Sequence, residues 1–371
     1  MDFSFTEEQQ MLRDSVTRFL QQKYDFDARQ AIVNSDQPWS PEIWKAFGEL
    51  GLLALPFPEA KGGFGGTITD IVAVAEGFGE HLIVEPYVSS ILLAGQSLAA
   101  SGNAAASADL TAIMSGGKTA AFAHEEGKGT PVPVLVAFNA RKTEDGFILD
   151  GEKRMVLGAA QADLLIVSAR IEGSPGDKNG LALFMVEPDL PGITITPFQT
   201  IDGRAAAHIR FDDVDLPLEN LLEKDAFYLI QSVIASAIIA LCAEAVGVME
   251  TLLKITGEYA ATRKQFGTTI GTFQAIAHRM ADMKIAYTKA QSTMIYTAAL
   301  AEAGKAQPRD ISILKGQIGN LGKSIGESAI QIHGGVGMTD ELSVGHYHKR
   351  LLAIDALFGD SEYHLRRLGA E

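Results

Sequence analysis

Three long stretches of helical periodicity constrain the fold more than any other feature of this sequence. They cover residues 225–260, 272–303 and 309–333. A helix of 30 residues is about 45 Å long, and one small domain cannot bury it. Helices of this length usually pack as an antiparallel bundle, often against a second subunit. The sequence therefore predicts a C-terminal helical bundle in an oligomeric protein.

The first third of the chain is also predicted to be helical. Thr6 and Gln9 fit a capping box, and Ser40 followed by Pro41 is typical of a helix start. Further helical runs are expected over 68–84 and 88–101. A glycine-rich loop, Gly62–Gly66, precedes these runs. It is not followed by a Lys-Ser/Thr pair, so it is not a P-loop.

The middle of the chain changes to short apolar or alternating segments separated by turn residues. This pattern predicts an antiparallel β domain and argues against a βαβ arrangement. The predicted strands are Ala120–Ala123, Val134–Asn139, Gly146–Leu149, Leu164–Ala169, Leu181–Val186, Thr194–Phe198 and Ala207–Phe211. We expect an α+β multidomain protein with an N-terminal helical domain (1–118), a middle antiparallel β domain (119–222) and a C-terminal four-helix bundle (223–371).

Composition excludes several classes of function. The chain has 31 Lys and Arg against 46 Asp and Glu, a net charge of −15, which disfavours nucleic acid and anionic membranes as partners. Its single cysteine, Cys242, excludes a disulfide framework and lies in an apolar run, as expected of a buried residue. We expect no signal peptide, no stretch near the ~20 apolar residues that span a bilayer, and a cytoplasmic location.

Two segments carry residue types suited to ligand binding. The first, Arg263–Gly267, interrupts two helices, and an arginine there could hold a phosphate while an aromatic residue stacks on a base. Its alternative interpretation is a basic surface turn with a core phenylalanine. The second, Gln331–Gly337, has paired glycines that let a ligand approach the backbone, although a helix C-cap would use them too. The histidines at 346 and 348 have no evident third ligand, so we expect no metal site.

Together with Asp2–Gln9 at the start and Gly62–Gly66 in the glycine-rich loop, these segments resemble the acyl-CoA dehydrogenase family over essentially the whole chain. The small-subunit type, found beside a larger partner, is the most similar. The resemblance implies α,β-desaturation of an acyl-CoA thioester, FAD as cofactor, a tetramer of homologous subunits, and an electron-transfer flavoprotein as acceptor.

The resemblance also assigns roles to six residues that reach the FAD of a neighbouring subunit. Arg263 would hold the diphosphate, and Phe266 and Gln274 would line the adenine end. Gln331, Gly334 and Gly335 would cradle the adenosine part. All six residue types are present in this sequence.

The residues that act on substrate in the family are largely missing. The catalytic glutamate belongs to a Tyr-Glu-Gly-Thr-like turn, where this chain reads Leu357-Phe358-Gly359-Asp360. In this comparison Gly359 stands in place of the glutamate, and Asp360 is a candidate base, with a helix cap as its alternative role. The long-helix position that some members use, within 234–238, also has no carboxylate.

The β domain departs from the family in the residues that face the flavin. The family's Thr-Glu-Pro is replaced by His124-Glu125-Glu126, and its tryptophan and threonine by Met155 and Leu157.

Three hypotheses of function follow from these matches and departures. The chain is the partner subunit of a heterotetramer whose other chain supplies the base, a self-sufficient homotetramer that uses Asp360, or a non-catalytic member that binds a nucleotide or acyl-CoA.

Overall fold

A computed structural model describes residues 5–127 and 132–370. In chain order the helices are α1 (Glu7–Lys23), α2 (Phe26–Val33), α3 (Pro41–Glu49), α4 (Ile68–His81), a π-helix (Val88–Gly95), α5 (Gln96–Ala100), α6 (Ala104–Met114), α7 (Phe227–Thr262), α8 (Gln274–Glu302), α9 (Pro308–His333), α10 (Ser343–Ala356) and α11 (Ser361–Ala370). The strands are β1 (Ala120–Ala123), β2 (Asn139–Lys142), β3 (Gly146–Leu157), β4 (Leu164–Arg170), β5 (Leu181–Val186), β6 (Ile193–Gln199), β7 (Ala205–Pro217), β8 (Leu221–Glu223), β9 (Lys264–Gln265) and β10 (Thr268–Thr269).

The chain divides into two compact units. One contains the residues up to Ala31, Thr67–Ile83 and those from Ile238 onward, and the other contains Ile32–Gly66 and Val84–Ala237. The first unit is therefore built from helices that are far apart in sequence. The second unit holds the sheet with the short helices next to it in sequence.

The predicted helix starts are present. The Thr6 hydroxyl accepts a hydrogen bond from Gln9 N at 3.2 Å, and the Gln9 side chain accepts one from Thr6 N at 3.1 Å. Ser40 caps α3 by accepting from Ile43 N at 3.2 Å. The run predicted over 88–101 differs, because its first eight residues form a π-helix. There the Ser90 hydroxyl donates to the Ala120 carbonyl and accepts from the Ala120 N–H. Periodicity in the sequence does not reveal this tertiary contact.

The second unit contains an eight-stranded sheet in the order β6-β7-β3-β2-β4-β5-β8, with β1 paired to β4. Most pairings are antiparallel, as predicted, but β1 and β2 each run parallel to β4. The segment predicted as a strand over 134–139 enters the sheet only at Asn139. The carbonyls of Val134 and Val136 accept hydrogen bonds from the Arg170 guanidinium instead of from a neighbouring strand.

The second unit also contains a lysine with no exposed surface, Lys153 on β3. Its ammonium donates to Glu126 Oε1 at 3.0 Å, the His124 carbonyl at 3.1 Å and Ser168 Oγ at 3.2 Å. It also lies 4.7 Å from the centre of the Phe138 ring. Burial lowers the pKa of Lys153 to about 8, against the influence of Glu126. The network ties the segment after β1 to the middle of β3.

In the first unit, α4 and α7 cross with their backbones in contact. A Cβ atom at Gly79 would lie 2.0 Å from the Glu244 carbonyl oxygen, and one at Gly247 would lie 2.0 Å from the Glu76 carbonyl oxygen. No side chain larger than hydrogen fits at either position without separating the helices. Two glycines therefore set the distance between α4 and α7.

A row of glycines on α9 receives the two C-terminal helices in a similar way. A Cβ atom at Gly319 would meet Asp355 Oδ1 at 1.9 Å, and one at Gly326 would meet His348 Nδ1 at 2.1 Å. Gly322 lies against Leu351, with 3.1 Å between its ideal Cβ position and the leucine side chain. The face of α9 that packs on α10 and α11 is thus nearly flat.

Helix α7 corrects one expectation from the sequence. Within the described residues it is the one helix long and apolar enough to cross a membrane, and 83% of its most apolar window is buried inside the protein. The side chains around it explain this apolarity, because a helix at the centre of a bundle contacts apolar neighbours on all sides. Cys242 lies in this helix and is fully buried, as predicted.

Substituting Gly247→Ala should destabilise the first unit by about 1–3 kcal/mol or more, because the added methyl group overlaps backbone atoms that cannot move independently. Gly257→Ala, on the same helix, is the matched control. The nearest atom to its ideal Cβ position is Met280 Cε at 3.6 Å, an ordinary contact, so alanine should be neutral or stabilise by about 0.5–1 kcal/mol. Thermal unfolding of both variants measures these changes. Equal changes in stability for the two variants would contradict the role of Gly247 in the helix crossing.

Candidate functional site

The first predicted binding segment forms a two-residue hairpin directly after α7. Strands β9 and β10 pair with Gln265 opposite Thr268, and the turn residues Phe266 and Gly267 both have positive φ, 52° and 83°. This is the backbone of a type I′ turn, which normally excludes large side chains at its first position. Phe266 is nevertheless placed there with 93% of its surface exposed. The hairpin presents an aromatic ring to the outside of this unit.

Arg263 lies at the base of this hairpin, and its backbone is fixed from both sides. Its N–H donates to the Tyr259 carbonyl at 2.8 Å, and its carbonyl accepts from Ile270 N at 2.9 Å. The side chain is exposed, and the part of the chain that the structure describes gives it no ion pair. An arginine held at a fixed point with a free guanidinium suits a phosphate ligand.

The second predicted segment lies at the C-terminal end of α9. Gln331 is exposed on the last turn, and Gly334 and Gly335 follow on the surface. Gly334 has φ of 67°, and no atom lies within 4 Å of an ideal Cβ at either glycine. The backbone is therefore open to a ligand here. Gln274, the first residue of α8, is exposed as well.

An aromatic stack joins the two segments. The rings of Tyr259 and His333 lie 4.3 Å apart at an angle of 22°, and the Tyr259 hydroxyl is 3.5 Å from the His333 carbonyl. Tyr259 is one turn before Arg263, and His333 directly precedes Gly334. Burial lowers the pKa of His333, so its ring is neutral at pH 7. Sequence analysis missed this pair, although an aromatic residue four positions before Arg263 was a usable signal.

The residues of this surface fit the nucleotide end of FAD by their chemistry. They offer a guanidinium for a diphosphate, an exposed ring for stacking, two amide side chains and an open glycine backbone. Among the described residues, the polar side chains of this surface make no hydrogen bond that would compete with a ligand. Bound FAD would supply the acceptor for the hydride that leaves the substrate, while these residues hold its far end.

The turn that holds the candidate base Asp360 has a clear structural role. Asp360 is exposed, and its carboxylate accepts a hydrogen bond from Tyr363 N at 2.7 Å, which caps α11. Gly359 precedes it with φ of 96°, and a Cβ atom there would lie 2.3 Å from the Tyr363 ring. Position 359 thus requires glycine.

Buried polar groups fix this turn in place. The Lys315 ammonium donates to the Asp355 carbonyl at 2.7 Å and to the Gly359 carbonyl at 2.8 Å. Asp355 accepts from Ser361 N at 2.9 Å, and His364 Nε2 lies 3.1 Å from the Phe358 carbonyl. Phe358 itself has φ of 57°, which is unusual for a residue other than glycine. Sequence analysis did not single out Lys315, because a lone lysine in a helix is normally exposed.

The residues expected to face a flavin in the second unit have little polar capacity. Met155 is 42% exposed with φ of 53°, and its N–H donates to His208 Nδ1 at 3.3 Å. Leu157, two residues on, is apolar. His124 is buried with Nδ1 2.9 Å from Ser168 Oγ, and burial, together with Lys153, lowers the pKa of its ring to about 3. A neutral, enclosed imidazole offers neither charge nor ready proton exchange.

No group of three or more His, Cys, Asp or Glu side chains within residues 5–127 and 132–370 has the geometry to hold a metal ion. His346 is instead used in packing, edge-on to Phe26 with 5.2 Å between the ring centres. Its Nε2 lies 3.1 Å from the Asp340 carbonyl.

Known proteins similar to this chain agree with the resemblance. Its residues 6–116, 120–214 and 226–371 match the N-terminal, middle and C-terminal domains of acyl-CoA dehydrogenases. A probable acyl-CoA dehydrogenase of Bacillus subtilis, YngJ, is 30% identical over 93% of this chain and 92% of its own length. The acryloyl-CoA reductase (NADH) of Anaerotignum propionicum is 28% identical over 98% and 94%.

Among solved structures, a chain of the ChsE4–ChsE5 complex of Mycobacterium tuberculosis superposes with a TM-score of 0.90. It is 25% identical and is matched over 100% of this chain and 98% of its own. The predicted fold, reaction class and cofactor, FAD-dependent oxidation of an acyl-CoA, are confirmed at the level of the family. With all three domains matched along its length, the chain belongs to the acyl-CoA dehydrogenase family.

Proposed function

We propose that this chain is the partner subunit of a heterotetrameric acyl-CoA dehydrogenase, in which it completes the FAD site of a homologous catalytic chain. The observation that carries the proposal is a contrast between two sites. The surface suited to the end of a neighbour's FAD has all six expected residue types, whereas the turn expected to supply the base has no glutamate, and its one aspartate caps a helix.

The geometry of the turn favours a match that differs by one residue from the sequence comparison. Because position 359 requires glycine, we match Gly359 to the glycine of the Tyr-Glu-Gly-Thr-like turn. In this match Phe358, and not Gly359, stands in place of the catalytic glutamate. A phenyl ring cannot accept the α-proton of an acyl-CoA, so position 358 does not supply a base.

Asp360 is a poor substitute for the missing base. Its carboxylate is exposed, and one of its oxygens caps α11, which holds the group in a structural role at the surface of this unit. A general base works from a fixed position within hydrogen-bond reach of the substrate. These facts favour the partner-subunit hypothesis over a homotetramer that relies on Asp360.

In the proposed assembly the residues of this chain bind and orient. Arg263 would pair with the diphosphate through its guanidinium, and Phe266 and Gln274 would contact the adenine end. Gln331 and the backbone at Gly334 and Gly335 would hold the adenosine part. The catalytic chain would supply the base, and an electron-transfer flavoprotein would accept the electrons. The name of the ChsE4–ChsE5 structure, a complex of two different chains, supports such an arrangement. We place the assembly in the cytoplasm.

The proposal predicts the flavin content of two preparations. Purified alone, the chain should hold FAD weakly or not at all, because Met155 and Leu157 offer the flavin no side-chain hydrogen bond. Co-expressed with a homologous catalytic chain, it should give a complex with about one FAD per heterodimer, measured by absorbance against protein concentration. A yellow homotetramer with one FAD per chain would contradict the proposal.

The variant Asp360→Asn separates the two catalytic hypotheses in the same complex. Asparagine caps helices about as well as aspartate, so stability should be unchanged. Turnover should stay within a few-fold of wild type if the partner supplies the base. A loss of ~10²–10⁴ in rate, with FAD content and melting temperature unchanged, would identify Asp360 as the base.

Substitution of Arg263 tests the FAD-binding surface. Arg263→Ala removes a charge-assisted contact and should weaken FAD binding to the complex by about 1.5–3 kcal/mol. Folding should change little, because the side chain is exposed. Arg309→Ala is the matched control, since Arg309 is also exposed but lies at the opposite end of α9 from Gln331. Equal FAD affinities for the two variants, measured by fluorescence titration, would exclude the assigned role.

A further inference from the structure

Three helices of the first unit, α1, α4 and α7, meet at a cluster in which negative charges outnumber positive ones. We call Arg13, Glu76, Glu80 and Glu250 the charge cluster. Arg13, on α1, lies 2.6 Å from Glu80, 2.8 Å from Glu250 and 3.4 Å from Glu76. One guanidinium thus faces three carboxyl groups. If all three were ionised, the cluster would carry a net charge of −2.

The three carboxyl groups differ sharply in their access to water. The side chain of Glu250 is 43% exposed and that of Glu80 is 22% exposed, but that of Glu76 is only 2% exposed. Glu76 Oε1 is fully buried and has no hydrogen-bond partner among the described residues. An ionised carboxylate oxygen in this position would lack both water and a donor, which is costly.

The helix crossing holds Glu76 in this position. Gly247 on α7 packs directly against the backbone of Glu76, so α4 cannot rotate to bring the carboxyl group to the surface. Glu250 follows Gly247 by three residues and therefore projects from a similar face of α7. The close approach of α4 and α7 brings the negative groups together, and it leaves Arg13 as their shared partner.

We propose that the charge cluster is a proton-operated clamp on α1. With a proton on Glu76, Arg13 pairs chiefly with the two outer carboxylates, which lie 2.6 and 2.8 Å from it in the structure, against 3.4 Å for Glu76. Loss of that proton leaves a buried negative charge that draws Arg13 inward from Glu80 and Glu250.

The surroundings of Glu76 support this assignment. Burial raises the pKa of Glu76 to about 7, Arg13 lowers it in part, and Glu250 and Glu80 raise it further. Two tyrosines also contact the cluster, and burial raises the pKa of each, so they remain neutral: Tyr287 on α8, which hydrogen-bonds Glu250, and Tyr347 on α10, which donates to the Glu80 carbonyl. The nearby charges are Arg29, which acts on Tyr347, and the buried ion pair of Glu244 and Arg350 at the α4–α7 crossing.

The sign of the pH effect follows from this shift. Between about pH 4.5 and 7 the folded protein holds a proton on Glu76 that the unfolded chain has released. Stability from this group is therefore complete below pH 4.5, falls as the pH rises toward 7, and is constant above that. Glutamine, which is neutral at every pH, should abolish this contribution to the pH dependence.

Thermal unfolding of wild type and Glu76→Gln from pH 5 to 8.5 tests the clamp. The melting temperature of the variant minus that of wild type should rise by roughly 3–6 °C between pH 5 and 7.5 and then level off. Glu80→Gln is the comparison, because its carboxyl group reaches solvent. Its difference from wild type should vary less over that range than that of Glu76→Gln, since it acts on Glu76 only through the lost repulsion. A difference for Glu76→Gln that stays constant with pH would overturn the proposal.

Infrared difference spectroscopy of the wild-type protein tests the proton itself and does not depend on a variant. The spectrum at pH 6 should contain the C=O stretching band of a protonated carboxyl group, which disappears with a midpoint near pH 7. The band should be missing from Glu76→Gln and present in Glu80→Gln. A wild-type spectrum without this band at pH 6, or a band that persists in Glu76→Gln, would show that Glu76 does not hold the proton.

Discussion

The backbone contact between α4 and α7 determines the arrangement of the first unit. Gly79 and Gly247 remove the side chains that would keep the helices apart, so the position of α7 is set by backbone atoms rather than by adaptable side chains. Helix α7 then carries Tyr259 and Arg263 at its far end. The surface that we propose for FAD therefore depends on a crossing several turns away, and a rigid crossing makes a precisely placed surface possible.

Much of the fold could be predicted from local sequence because the signals are themselves local. A capping residue such as Thr6 or Ser40 bonds a backbone group three positions away, and the sequence contains both partners. The β1–β4 and β2–β4 pairings could not be foreseen, because strand direction depends on residues far apart in the chain. The π-helix is a similar case, since its Ser90 bonds a strand that begins 30 residues later.

The candidate site shows the same division. The six residues proposed to bind FAD could be named from sequence because they form compact motifs, and the structure brings both motifs together through the stack of Tyr259 and His333. The base turn is ambiguous by one residue, because Gly359 can be matched either by sequence position or by backbone conformation. The positive φ of Gly359 and the adjacent Tyr363 ring favour the second match. Buried charge is equally invisible in sequence, as Lys153 and Glu76 illustrate.

The discontinuity of the first unit has a consequence for synthesis on the ribosome. Helices α1 and α4 are complete early, but the α7 backbone against which α4 packs emerges about 170 residues later. At cellular rates of elongation this delay is roughly 10–30 s. During that time α4, whose Ile71, Val72 and Val74 are buried in the finished protein, can pack on α1 but lacks its α7 partner. The nascent chain is therefore a predictable client for chaperones that shield exposed apolar helices until translation is complete.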